Sequence, residues 1–159
     1  MPFQRLSYHF DTKLAAPRRE AYRWATDYRS DDFDLSGINA ERKVEKLTDD
    51  LILLTDSFKD DPFDARPGAR TVKVKLVHLY PEQSRWTSTH VAGPAKYSQF
   101  LYELTPRGAN GSTLHFDGNQ VEFVDRRPTP SSLRRRAQEL RREDSQLWAR
   151  LSAALANGK

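Results

Sequence analysis

Cysteine is absent from all 159 residues, which excludes disulfide scaffolds, thiolate nucleophiles and Cys-ligated metal sites. Any nucleophile in this chain is an oxygen or a nitrogen. Long hydrophobic runs are missing too. Met1 to Phe10 holds no apolar stretch of roughly 7 to 15 residues of the secretory kind, and nothing approaches the roughly 20 apolar residues of a membrane span. A cytoplasmic protein with no membrane span is the expectation. Glycine is scarce, at seven residues, and none falls in a G-x-G-x-x-G, Walker or Gly-x-Ser-x-Gly arrangement. Gly108 and Gly111 sit in a hairpin loop, where turn geometry accounts for them. The four histidines, His9, His78, His90 and His115, lie on separate segments without ligand spacing, so no metal site and no cofactor are expected.

An excess of one charge is also small. Lys and Arg number 26 against 22 Asp and Glu, a formal +4. Much of it falls late, at Arg126, Arg127, Arg134, Arg135, Arg136, Arg141 and Arg142. Glu139, Glu143 and Asp144 interrupt those arginines, and no aromatic is interleaved through Arg142 for base stacking. A solvated, ion-paired helix face is the expectation, and the pattern argues against a nucleic-acid partner. What is plentiful is interior material: 37% hydrophobic content, with eight Phe, six Tyr and three Trp. One domain over residues 1–159 fits this length.

Leu6, Tyr8, Phe10, Thr12 and Leu14 alternate with polar residues and predict a strand with one buried face. Pro17 opens a short amphipathic helix through Ala21, Trp24, Ala25 and Tyr28. Ser30-Asp31-Asp32 supplies N-cap-type side chains for a second turn over Asp32 to Ser36, ended by Gly37. Arg42 to Leu47 and Leu51 to Phe58 read as a hairpin around Thr48-Asp49-Asp50, followed by an irregular loop from Lys59 to Arg70.

In Thr71 to Tyr80 the even residues Val72, Val74, Leu76, His78 and Tyr80 are assigned inward, against Lys73 and Lys75 outward; Val77 and Leu79 weaken that assignment. Arg85 to Val91 turns Trp86, Ser88 and His90 inward. Lys96 to Thr105 offers two faces, of which Ser98, Phe100, Tyr102 and Leu104 is chosen as the more apolar. Ser112 to Val124 points Leu114 and Phe116 inward, with Gly118 at a bulge or bend. After Pro130-Ser131-Ser132, a stripe of Leu133, Ala137, Leu140, Leu147, Leu151 and Ala154, widened by Trp148 and Leu155, predicts a long terminal helix that Asn157-Gly158 ends.

This order of elements resembles the helix-grip fold of the START-like, or SRPBCC, superfamily. Two stretches carry the resemblance. One is Leu14 to Tyr28, where Ala16-Pro17 ends the first strand and Asp27-Tyr28 follows the first helix; the other is the amphipathic helix beginning after Pro130. The resemblance spans Phe3 to Ala156. It implies an α+β fold in which a seven-stranded, curved antiparallel sheet wraps a long C-terminal helix, with two short helices after the first strand. It also implies a mostly apolar cavity between sheet and helix, and a ligand such as a lipid, isoprenoid or polyketide-like molecule.

On that frame, Leu76, His78, Trp86, Ser88, Phe100, Tyr102, Phe116 and Trp148 are the candidate ligand-binding residues. His90 and Asp144 are the candidate acid–base pair. Asp144 interrupts the apolar stripe, so it either points into the cavity or pairs with Arg141 or Arg142, and the pairing is favoured. Three readings stand: binding of a small hydrophobic or aromatic ligand; a polyketide cyclase or dehydratase using His90 and Asp144; and a protein or RNA interaction module using the Arg-rich helix. Val77, Leu79, Val91 and Leu101 could form an exposed apolar strip suited to a homodimer.

Overall fold

Leu6, Tyr8, Phe10 and Leu14 are buried along the first strand, and the same alternation governs most of the sheet. The computed structural model describes residues 2–59 and 68–159. Its elements run β1 (Phe3–Leu14), α1 (Arg18–Thr26), α2 (Asp32–Ser36), β2 (Ala40–Thr48), β3 (Leu51–Lys59), β4 (Arg70–Tyr80), β5 (Arg85–Ala92), β6 (Gln99–Arg107), β7 (Gly111–Phe123) and α3 (Pro130–Ala156). The strands form one antiparallel sheet in the order β1-β7-β6-β5-β4-β3-β2. Chain neighbours are sheet neighbours except at β1, which joins the far edge through β7. The residues linking β1 to β2 are those of α1 and α2, a helical crossover from one edge of the sheet to the other. Most of the loop expected between Lys59 and Arg70 lies outside the described residues.

Local chemistry sets the ends of the helices. Pro17 occupies the N-cap of α1, and α2 stops at Gly37, whose φ of 70° is left-handed. No side chain of Ser30 or Asp31 caps α2; instead Asp32 accepts a hydrogen bond from the Arg29 backbone at 2.9 Å. A capping box starts α3: the Thr129 hydroxyl accepts from the Ser132 backbone and the Ser132 hydroxyl from the Thr129 backbone. From there α3 lies along β1, with Leu140 and Trp148 buried and Leu133, Ala137, Leu151 and Leu155 packed against the core.

Three expectations need correction. On β4 the odd residues, not the even ones, face the interior. Lys75, Val77 and Leu79 stand opposite His90, Ser88 and Trp86 of β5, and cross-strand partners share a face. Val77 is fully buried, Leu79 packs on the core, and Val72 and Tyr80 are exposed. The inference failed because β-branched Val72 and Val74 suit an outer pleated surface as well as an inner one, and because two lysines face inward. With Val77 and Leu79 inside, the proposed dimer strip is reduced to Val91 and Leu101, both on outer faces.

Gly118 is not a bulge. It pairs in unbroken register with Tyr8 and Phe100, and a Cβ there would lie 2.8 Å from the Tyr8 ring. Finally, β6 begins at Gln99, after Tyr97 takes a left-handed φ of 76°, and continues through Pro106, so the loop before β7 is shorter than expected.

Candidate functional site

Side chains turned inward by β3 to β7 meet α3 across open space, in two hollows of about 310 and 550 Å³. Phe33, Lys75, Ser88, Tyr102, Leu147 and Trp148 border both. The smaller hollow runs beneath α1 and α2, with Trp24, Tyr28, Arg42, Leu54 and Trp86 around it. The larger is bounded by His90, Phe100, Phe116, Leu140 and Asp144. Volumes of this order suit a small organic molecule.

Aromatic rings make the dividing wall. Trp86 and Tyr102, opposite one another on β5 and β6, stack with centroids 4.8 Å apart and planes 1° from parallel. Trp148 of α3 leans on both, at 6.5 and 5.8 Å. In the larger hollow Phe116 sits 5.8 Å from Phe100 and 4.7 Å from Phe10. These contacts fix the ring positions, so the wall exists before any ligand arrives.

His90 and Asp144 border the same hollow, from β5 and α3 respectively. The imidazole of His90 meets the edge of Phe100 at 5.3 Å, and its Nδ1 is buried with no hydrogen-bond partner among the described residues. Burial, reinforced by the charges of Lys75 and Lys73, holds its pKa down to about 3, so the ring is neutral at ordinary pH. A neutral imidazole this hard to protonate orients a ligand through a hydrogen bond more readily than it removes a proton. Asp144 accepts a hydrogen bond from the Tyr8 hydroxyl, and burial raises its carboxyl above the usual aspartate range. The ion pair expected with Arg141 or Arg142 gives way to this contact, because Asp144 lies on the sheet-facing side of α3.

The remaining sequence candidates divide cleanly. Ser88, Tyr102 and Trp148 border both hollows, Trp86 the smaller, and Phe100 and Phe116 the larger. Leu76 and His78 border neither. Their β4 face is the outer one, so they are withdrawn as ligand-binding residues.

A buried charge cluster escaped the sequence reading. Asp56, 0% exposed, takes two hydrogen bonds from Arg42 at 2.7 and 2.9 Å, and Lys75 Nζ lies 2.8 Å from the second oxygen. Arg42 reaches on to Asp32 at 2.9 Å and lies over the Phe33 ring at 4.6 Å. Burial opposes the charge on Asp56, yet the bonds from Arg42 and the charge of Lys75 hold its carboxyl below the normal range. The signal was present: a hairpin centred on Asp49 sets Arg42 opposite Asp56, and Asp56 continues the inner series of Ile52 and Leu54.

At the rim of the larger hollow, which Glu122, Arg136 and Glu143 also border, the Arg-rich helix α3 is partly neutralised. Arg136 pairs with Glu122 at 2.7 Å and Glu139 at 3.3 Å, and approaches Glu143 at 3.8 Å. Among the described residues no three His, Asp or Glu side chains converge as metal ligands, and no helix is long and apolar enough to cross a membrane.

No family model matches the sequence, and no curated protein does. Solved structures do match in shape. An aromatase/cyclase from a Streptomyces species superposes with a TM-score of 0.72 at 12% identity, covering 98% of this chain and 97% of that one. A START superfamily protein from Mycobacterium smegmatis gives 0.71 at 12% identity, over 96% and 99% of the two chains. Norcoclaurine synthase from Thalictrum flavum, in complex with dopamine and hydroxybenzaldehyde, gives 0.68 at 12% identity, over 99% and 90%. At these identities the likeness concerns the backbone, and it establishes that this chain has the helix-grip fold of the START/SRPBCC type.

Proposed function

We propose that the protein binds a small hydrophobic or aromatic molecule between its sheet and α3. One observation carries this reading: the hollows stay open although Trp86, Tyr102 and Trp148 are packed against one another at their border. A protein interior normally closes to near-crystalline density, and space of this size is retained where something else fills it. The polar groups are few and spaced apart, as suits orienting a ligand whose affinity comes from apolar burial. The aromatase/cyclase and the norcoclaurine synthase, one of them holding aromatic molecules, support the class of ligand by likeness of fold.

Native mass spectrometry of the purified protein for a retained small molecule, joined to titration with 2-naphthol read by tryptophan emission, tests it. Saturable quenching that Trp148→Leu weakens is expected. A protein that carries nothing and shows no saturable response would remove the proposal.

A second reading, an enzyme of the cyclase or dehydratase type, is favoured by the placement of His90 and Asp144 on one hollow. Asp144, more readily protonated than a surface aspartate, is the proton donor in it, and His90 orients a carbonyl oxygen or enol. Cyclisation of a poly-carbonyl probe that persists unchanged in both His90→Ala and Asp144→Asn would dispose of this version and leave ligand binding intact.

A further inference from the structure

We propose that Lys75 is a reactive amine of this cavity, and that the ligand it takes is an aldehyde or ketone, held as a reversible imine. The inference rests on the cavity reading above and names the chemical class of its occupant.

Placement is the first ground. Lysine rarely faces the interior of a sheet, because an ammonium group loses its hydration there. The Lys75 side chain is 19% exposed, comes from the inner face of β4, and reaches the stretch of wall common to both hollows. A molecule seated against Tyr102 and Trp148 therefore meets this amine from either side. The paired lysines Lys43 and Lys59 lie at the periphery, their side chains 69% and 39% exposed.

The second ground is the arrangement of charge. Asp56 is engaged at both oxygens by the Arg42 guanidinium, which also pairs with Asp32 at 2.9 Å, so Lys75 enters as the second cation beside two carboxylates. Lys75 is the second partner of Asp56, held in place by it at 2.8 Å while Arg42 repels its positive form. A desolvated lysine beside a second cation is a recognised way to make a nucleophilic amine. Burial, with the Arg42 charge behind it, sets Lys75 below the ordinary lysine value, so more of it is neutral amine than on the surface.

The third ground is the surrounding chemistry. His90 stands directly opposite Lys75 on β5, with Nδ1 unpartnered among the described residues. Asp144 borders the larger hollow with Lys75. In the reaction the neutral Nζ attacks the carbonyl carbon, the N–C bond forms as the C=O π bond breaks, and one proton passes from the nitrogen to the oxygen to give a carbinolamine. That hydroxyl leaves as water with a proton supplied by Asp144 as the C=N bond forms, and the resulting iminium nitrogen gives its proton back to the Asp144 carboxylate to leave the imine. Hydrolysis reverses each step and restores amine and carbonyl, so no oxidant or reductant enters. His90 Nδ1 is a hydrogen-bonding site for the carbinolamine hydroxyl.

Benzaldehyde with sodium cyanoborohydride tests this on the intact chain, since reduction converts a transient imine into a stable benzylamine. The modified peptide gains the mass of the aldehyde less one oxygen atom. Peptide mapping is expected to find Lys75 labelled at least about tenfold faster than Lys43 or Lys59. Benzyl alcohol, which fills the same space without forming an imine, is expected to slow that labelling and to quench tryptophan emission. Lys75→Arg is expected to lose the fast label. This competition in the unaltered protein carries the test should the variant fold poorly.

Labelling confined to Lys73 or spread over surface lysines, with benzyl alcohol still quenching, would overturn the amine chemistry and leave the cavity reading standing. If benzyl alcohol neither quenches nor protects, both fall.

Discussion

Trp86 and Tyr102 face each other across β5 and β6 with their rings 1° from parallel and 4.8 Å between centroids, and this stack forms part of the cavity wall as well as part of the core. The two roles separate by mutation. Tyr102→Phe keeps the ring and is expected to cost less than about 1 kcal/mol, whereas Tyr102→Ala removes one side of the stack and is expected to cost about 2 to 4 kcal/mol. Urea denaturation followed by tryptophan emission measures both. Equal losses from the two substitutions would mean that the hydroxyl, not the ring, does the stabilising.

Asp56 supports a different prediction because its partners are cations with little access to water. Replacing it with Asn leaves Arg42 and Lys75 near one another with Asp32, on the far side of Arg42, as the remaining counter-charge. A loss of about 3 to 5 kcal/mol is expected. The triple change Asp56→Leu with Arg42→Met and Lys75→Met removes the buried charges together and is expected to be less damaging than Asp56→Asn alone. Thermal unfolding of the two variants beside the unaltered chain decides the point, and a multiple variant worse than the single one would contradict it.

The reach of the sequence is clearest on the strands that flank this cluster. Along β1, and in the inward residues of β5, β6 and β7, alternation gave the right face because each carries its larger apolar or aromatic side chains mainly on one side. The stripe of α3 was legible for the same reason, and Gly37 marked the end of α2. On β4 the alternation pointed the wrong way. Its inward lysines depend on a carboxylate from β3 and a guanidinium from β2, and no single-strand pattern contains that information. Asp144 was ambiguous for a related reason: helix periodicity placed it on the inner stripe, but its partner, Tyr8, lies 136 residues away in β1. His90, Trp86 and Tyr102 were readable as inward residues, whereas the division of the space into two hollows required the sheet and α3 together.

The pH dependence of stability has a sign set by His90. Its folded pKa, about 3, lies below the ordinary 6.5, so between those values the unfolded chain binds the extra proton. Stability from the neutral ring is complete above pH 6.5 and is lost as pH falls toward 3, by up to about 1.4 kcal/mol per pH unit. Asp144 works in the opposite sense. Its raised value favours the folded state at low pH and loses that contribution as pH rises through it. Comparing His90→Gln with the unaltered chain isolates the histidine, since Asp144 is present in both. The variant is expected to show a shallower decline between pH 6.5 and 4; parallel profiles would show that His90 takes up its proton freely in the folded chain.

Gly118 and Tyr8 pair across β7 and β1, and the glycine leaves room for the ring that bonds Asp144. A Cβ at position 118 would lie 2.8 Å from Cζ of Tyr8 and 3.1 Å from a ring carbon of Phe116, too close for either to stay where it is. The Tyr8 ring cannot simply swing away, because its hydroxyl is tied to α3 while its body is packed 5.7 Å from Phe116. Gly118→Ala is therefore expected to cost about 1 to 3 kcal/mol by overpacking. In a Tyr8→Ala background the obstructing ring is gone, and the same substitution is expected to cost less than half as much. A cycle of the four proteins measured by denaturant unfolding gives the coupling directly. If the penalty persists undiminished without the ring, the glycine serves the backbone of β7, and space for Tyr8 is not the reason it is there.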